Sequence, residues 1–227
     1  MEWLTTLAAT DVGKVALTAC ATLVITGFGV VIGGAKDIFT DYWKRRRQVN
    51  YHAMLLTVII DQLIDDCVEV VFDDGFADPD GVKGPSTPTP KIAWPPTLDW
   101  TLLPSDLMYK ALLLPGMIRS ADESAAFISE HIAGPPYYEE YFQERQDRYA
   151  KIGLACLDIL NRLKKDYGVH HQDRTHYDPH RQFDDKIVKV ESERAEERER
   201  QAKMMRELTL KESDIRYALL DPEKPHG

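Results

Sequence analysis

Residues 105–132, SDLMYKALLLPGMIRSADESAAFISEHI, decide the fold class. Within them Leu107, Ala111, Leu114, Ile118, Ala121, Ala125, Ile128 and Ile132 advance by fours and threes, the step that returns a side chain to the same face of an α-helix. A helix that is apolar along one face must cover it against other helices. Pro115-Gly116 interrupts the pattern. Proline lacks the backbone donor and crowds the carbonyl four residues back, so a kink or two shorter helices are expected rather than one straight rod.

The same spacing recurs on both sides. Gly134-Pro135-Pro136 marks a turn, after which Phe142, Tyr149, Ile152, Cys156, Ile159 and Leu163 share one face of a helix expected from about Tyr137 to Tyr167, with Gly168 placed to stop it. Upstream there is no proline or glycine from Lys36 to Asp74. There Leu56, Ile60, Leu63, Cys67 and Val70 form a stripe that Leu55 and Ile59 widen, and Asp73-Asp74-Gly75 ends it. Between these helices, residues 73–104 carry seven prolines, a density that removes backbone donors and favours extended chain. Trp94, Leu98 and Trp100 make this connector too apolar for a solvated tether, so it is expected to lie across the helices as a strap. Residues 105–168 supply two bundle helices and 36–72 the juxtamembrane segment with the first, giving an antiparallel helical bundle.

The juxtamembrane reading comes from Val15 to Ala35, 21 residues without a charge, bounded by Lys14 and by Lys36 with Asp37. At about 1.5 Å per residue the run spans about 32 Å, close to the hydrocarbon thickness of a bilayer. Residues 1–14, with Glu2, Asp11 and only Lys14, do not form the basic leader of a signal peptide, and the run is long for one. Leu17-Thr18-Ala19-Cys20 resembles the site of a lipidated cysteine, but the apolar run continues well past it. Residues 15–35 therefore read as a transmembrane helix. Lys44, Arg45, Arg46 and Arg47 follow its exit, preceded by Tyr42 and Trp43, while Trp3 lies near the other interface. Basic residues are retained on the cytoplasmic side and bind anionic lipid there, so the chain is expected in the plasma (inner) membrane, single-pass, N-terminus outside and C-terminus cytoplasmic. Thr18, Thr22, Thr26, Gly29 and Gly33 share one face of the span, and such small residues let two helices approach closely. Self-association along that face is expected.

Beyond the bundle, residues 169–178 form a loop with His170, His171 and His176, and His180 follows. Imidazoles with Asp173 or Asp178 are the right donors for zinc or iron. Asp178-Pro179, however, is a helix start, aspartate as cap and proline in the first turn, which leaves His176 outside the helix that carries His180. Solvated loop histidines are expected. Residues 179–227 begin with apolar Phe183, Ile187 and Val190, then turn highly charged from Glu191 to Arg206. Glu196 with Arg200 and Glu199 with Lys203 are spaced to pair along a solvated, projecting helix, on which Ala195, Ala202, Met205 and Leu208 offer only a weak seam. Ser213-Asp214 is expected to cap a short final helix.

Composition sets the outer limits. The chain has 227 residues, 28 Lys and Arg against 37 Asp and Glu, and a net charge of −9. A net acidic chain lacks the basic surface that nucleic-acid binding needs. Cys20, Cys67 and Cys156 fit neither a disulfide framework nor a zinc motif; Cys67 and Cys156 fall on apolar stripes and read as core residues. Asp61, Asp65, Glu69 and Asp73 recur every four residues, a stripe that could hold magnesium for hydrolysis if an acidic or histidine motif faced it. The candidates, Glu140 with Glu144 and Glu193 with Glu196, lie in charged runs that look exposed, so the stripe reads as a solvated face. No phosphate loop, nucleophile elbow or Cys-x-x-Cys is present, and no catalytic or cofactor-binding residue is assigned. The chain thus reads as all-α, a transmembrane helix followed by a cytoplasmic bundle with a long charged C-terminal helix. Its expected function is that of a membrane-anchored interaction or scaffold module, non-enzymatic, with an unidentified cytoplasmic protein partner. An oligomeric membrane-perturbing effector is the alternative, and a metal-dependent hydrolase using Asp61 and Asp65 comes third.

Overall fold

The computed structural model describes the backbone of residues 11–174 and 176–220 and the side chains of 39–174 and 176–211. The expected span 15–35 and its small-residue face, Thr18 to Gly33, lie outside the described side chains. Among the described residues no helix is long and apolar enough to cross a membrane. The chain divides into two compact units, Met1–His52 and Ala53–Gly227. In the first, Phe39, Tyr42 and Trp43 are exposed, the rings of Phe39 and Trp43 5.9 Å apart, and Lys44 to Arg47 are exposed beside them.

The protein is mostly helical, with four helices packed as a bundle: α1 (Asp11–Val71), α2 (Ser105–His131), α3 (Glu139–Tyr167) and α4 (Pro179–Leu220). The second unit takes α1 from Ala53 onward. Its core is the set of faces that the four-and-three spacing marks: Leu56, Ile60, Leu63, Cys67 and Val70 of α1, Leu107 to Ala121 of α2, Tyr149 to Leu163 of α3, and Phe183 of α4. Both described cysteines are fully buried. Burial pushes both thiols up, Cys156 to about 12, so neither is a thiolate near neutrality. Gly168 ends α3 in the left-handed conformation (φ 63°), its N–H donating to the Lys164 carbonyl at 2.9 Å.

Helix direction departs from a simple up-and-down order. Along α3, Glu144 meets Ser124 of α2, Asp158 meets Lys110 and Arg162 meets Asp106, so α2 runs antiparallel to α3. Arg194 of α4 reaches Glu144 while Phe183 lies over Gly153, so α4 is antiparallel too. Asp73, just beyond α1, bonds Arg145 near the start of α3, whereas Asp61 bonds Gln172 beyond its end. Helices α1 and α2 are therefore parallel, and residues 73–104 are the crossover joining the end of one to the start of the other. Ala53–Val71 is about 28 Å long, easily spanned by an extended chain of that length.

The crossover carries a two-stranded antiparallel hairpin, β1 (Phe76–Ala77) and β2 (Lys83–Gly84), and one 3-10 turn, Trp100–Leu102. It is fastened along its length. The Lys83 N–H donates to the Pro136 carbonyl at 2.8 Å, and the Thr89 hydroxyl meets Asp122 at 3.3 Å. Leu98 and Leu103 are buried, and Trp94 and Trp100 pack on the core edge to face, 5.3 Å apart.

Four local expectations change. Pro115 lies inside one uninterrupted helix, because Leu107, Ala111, Leu114, Ile118, Ala121 and Ala125 are all buried on one face and that burial holds both halves together. The last turn of the stripe is not covered, and Ile132 is 56% exposed. Helix α4 runs to Leu220 without a new start at Ser213-Asp214. Arg200 pairs with Glu197 at 2.7 Å rather than with Glu196.

Candidate functional site

The polar groups that organise the molecule lie where a charged run would be read as surface. Glu144, Arg145, Gln146 and Asp147, consecutive on α3, are all at most 8% exposed. Arg145 Nη1 is 2.7 Å from Asp73 Oδ2, and its Nη2 donates to the Thr87 carbonyl at 2.6 Å. Asp73 further accepts the N–H of Gly75 (3.0 Å) and of Thr87 (2.9 Å) and the Ser86 hydroxyl. Burial alone would raise this carboxyl, but those hydrogen bonds outweigh it and hold the pKa near 2. Gln146 donates to the Asp73 carbonyl at 2.9 Å. This network locks the start of the crossover onto α3.

Adjacent to Arg145 in the chain, Glu144 accepts from Ser124, from Arg148 at 2.8 Å and from Arg194 at 2.7 Å. Burial opposes ionisation here as well, and these donors reverse it, lowering the Glu144 pKa. Asp147 pairs with Lys151 at 2.8 Å and lies 3.5 Å from Arg194. The exposed reading of Glu144 is therefore corrected: it is the point at which α2, α3 and α4 are tied together.

At the opposite end the acidic stripe is also not a solvated face. Arg174 Nη1 is 2.7 Å from Asp61, and its Nη2 is 3.1 Å from Asp65, with the guanidinium side chain only 7% exposed. The Gln172 N–H donates to Asp61 at 3.0 Å, and the Tyr177 hydroxyl donates to Asp65 at 2.6 Å. Of the stripe only Glu69 is exposed. The proposed magnesium carboxylates have guanidinium groups as counter-ions: Arg174 for Asp61 and Asp65, Arg145 for Asp73. Such a pairing does not fit a metal centre built on the stripe.

The histidines do not converge either. His170, His176 and His180 are exposed, and His180 Nδ1 lies 2.8 Å from Asp184. His171 Nδ1 lies 2.9 Å from the Gln172 carbonyl and its Nε2 3.3 Å from the Lys164 ammonium. Among the described residues no group of three His, Cys, Asp or Glu is placed to hold a metal ion. Asp178 does cap α4, accepting the N–H of His180 (3.1 Å) and of Arg181 (3.3 Å). Arg174→Gln is expected to cost about 2 kcal/mol, the scale for hydrogen bonds to a charged group, and to speed amide exchange across 169–178. Unchanged exchange there would show that Arg174 does not hold the loop.

Concave and projecting surfaces occur at the Asp73 end. An open groove of about 900 Å³ lies between the end of α2, the start of α3 and residues 191–201 of α4. Ile128 and Ile132 form its apolar part, and seven glutamates against three arginines, with Gln143 and Gln201, form the rest. A recess of about 410 Å³ adjoins it, sharing Glu139, Gln143 and Glu193 and bringing in Lys83, Lys186 and Lys189. Beyond the groove α4 outruns α3, and residues 201–211 are all exposed. Met204, Met205 and Leu208 are therefore exposed apolar side chains. Comparison with family models, curated proteins and solved structures found no match to this chain, so the functional reading rests on these residues alone.

Proposed function

We propose that the protein is a membrane-anchored scaffold: residues 15–35 hold it in the inner membrane, and the cytoplasmic bundle presents α4 to a protein partner. One observation carries the interaction half of this reading, the exposed apolar side chains of Met204, Met205 and Leu208. An isolated helix is marginal in water, and exposed methionine and leucine on one that projects are the usual means of docking it. The anchor half is supported by the uncharged run and by the exposed Lys44 to Arg47 beside Trp43. Pairing of spans along Thr18, Thr22, Thr26, Gly29 and Gly33 would add a homo-oligomer.

The test is in-cell photocrosslinking from position 208, with position 80 as a control. A single heteromeric adduct at 208, absent at 80, is the expected result. No adduct would refute docking through α4, and a homomeric adduct alone would favour the oligomeric effector. In the same cells, a C-terminal reporter should report a cytoplasmic location and stay membrane-bound through alkaline carbonate. Release into the wash would refute the anchor.

A further inference from the structure

The groove between α2, α3 and α4 has a chemistry that specifies its occupant more narrowly than the projecting helix does. Its three arginines are already engaged. Arg194 is bound to Glu144, Arg200 to Glu197, and Arg198 donates to the Arg194 carbonyl at 3.1 Å. Among the carboxylates, Glu144, Glu193 and Glu197 likewise have partners within the protein. Glu139, Glu140, Glu191 and Glu196 have none among the described residues. Two of these stand at the start of α3 and two on α4, while Ile128 and Ile132 come from the end of α2. Ile128 is half-buried and Ile132 is 56% exposed, although both continue the stripe that is buried from Leu107 to Ala125.

The groove is thus an apolar patch flanked by four exposed glutamates that have no cationic partner among the described residues. We propose that it receives an amphipathic basic helix of a partner protein, apolar residues on Ile128 and Ile132 and lysines or arginines against Glu139, Glu140, Glu191 and Glu196. A helix about 10 Å across fits a cleft of this size, and complementary charge supplies orientation and association rate. The proposal rests on the interaction-module reading and names the class of partner and the face it uses.

The experiment uses the full chain in zwitterionic nanodiscs, which do not themselves attract cationic peptides. The probe is a fluorescent 18-residue leucine-lysine peptide with apolar residues on one helical face, read by fluorescence anisotropy. A peptide of the same composition with the apolar face scrambled is its control. The expected result is saturable binding of the amphipathic peptide. It should weaken at least 10-fold when Glu139, Glu140, Glu191 and Glu196 are changed together to glutamine, and several-fold for Ile132→Ser. A second variant with four exposed acids changed elsewhere (Asp41→Asn, Glu69→Gln, Asp80→Asn, Glu123→Gln) should bind as the parent does. Circular dichroism should be the same for all.

Equal weakening by the two charge variants would overturn the proposal, because only overall acidity would then matter. Equal binding of the scrambled peptide would overturn it as well, because the apolar patch would play no part. A peptide of this chain's residues 39–50, which carries Lys44 to Arg47, is run in competition. If it binds the groove more tightly than the leucine-lysine helix, the occupant is a second copy and not a partner helix. The full chain with Met204→Ser and Met205→Ser, which keeps position 208 for the photocrosslinker, separates this inference from the broader reading. If the groove variants are silent while that variant abolishes the crosslinked adduct, the groove proposal falls and docking through the distal helix stands.

Discussion

Arg145→Met is expected to lower the unfolding free energy by about 3–5 kcal/mol, the scale for leaving a buried charge without its partner. The side chains of Asp73 and Arg145 are 0% and 4% exposed, so water cannot replace the missing guanidinium. Urea denaturation followed by far-ultraviolet circular dichroism would show the midpoint fall while the native helical signal is kept. Asp73→Asn with Arg145→Met should cost less than the two single losses together, because the double variant strands no charge. The pH dependence has a definite sign. A carboxyl held near 2 in the folded state and near its ordinary 3.8 when unfolded contributes stability that is complete above about pH 4. That contribution is lost as pH falls toward 2. Removing the Arg145 cation favours the protonated carboxyl and narrows that gap, so Arg145→Met should lose less stability than the parent between pH 4 and pH 2. An unchanged midpoint at pH 7 would remove Arg145 from the structural account.

Phe183→Ala is expected to cost a further class of energy, about 3–5 kcal/mol, from lost apolar transfer and the cavity left behind. Phe183 is 0% exposed, and its ring lies directly against Gly153 of α3, where no Cβ can be accommodated without displacing it. Gly153→Ala alone should therefore destabilise by about 1–3 kcal/mol through overpacking, even though alanine favours helix. Combining the two should recover part of the loss, because the smaller side chain at 183 makes room for the new methyl. Additive losses would show that the close approach of α3 and α4 does not depend on this pair. The same packing explains why a truncation after Gly168 would be a poor probe of partner binding. It removes Phe183 and Val190 from the bundle, whereas a chain ending at Lys203 keeps both.

Helix number and faces were legible because burial imposes a period on the chain. Most residues predicted from the four-and-three spacing around Leu56, Leu107 and Tyr149 lie in the core, while Leu55, Ile59, Ile128 and Ile132 do not. Gly168 and the Asp178-Pro179 start were legible for a similar reason, since each acts on its immediate neighbours. Among candidate site residues the sequence reading was less successful. Asp61 and Asp65 were singled out, but as a solvated or metal-binding stripe, and Arg174 was passed over as a loop residue. Glu144 reads as exposed from the sequence because four consecutive charged or polar residues carry no local mark of burial. A weak signal did exist: Arg145 stands three residues after Phe142 and four before Tyr149, on the apolar face of α3.

The amino-acid sequence by itself determined what depends on near neighbours: which segments are helical, which face of each is apolar, where α3 stops and α4 starts. It likewise marked residues 15–35 as the only long run without charge. Tertiary structure alone decided what depends on residues far apart in the chain. It made α1 and α2 parallel, because the 73–104 crossover is pinned at Asp73, Thr89 and Trp100 along the bundle and cannot turn back early. It carried α2 unbroken through Pro115, because a buried face on both sides outweighs one missing hydrogen bond. It paired Asp73 with Arg145 and Asp61 with Arg174, more than seventy and a hundred residues away, where a charge becomes tolerable only because another arrives to meet it. And it left Ile132 and residues 201–211 of α4 exposed, because α3 begins too late to reach them.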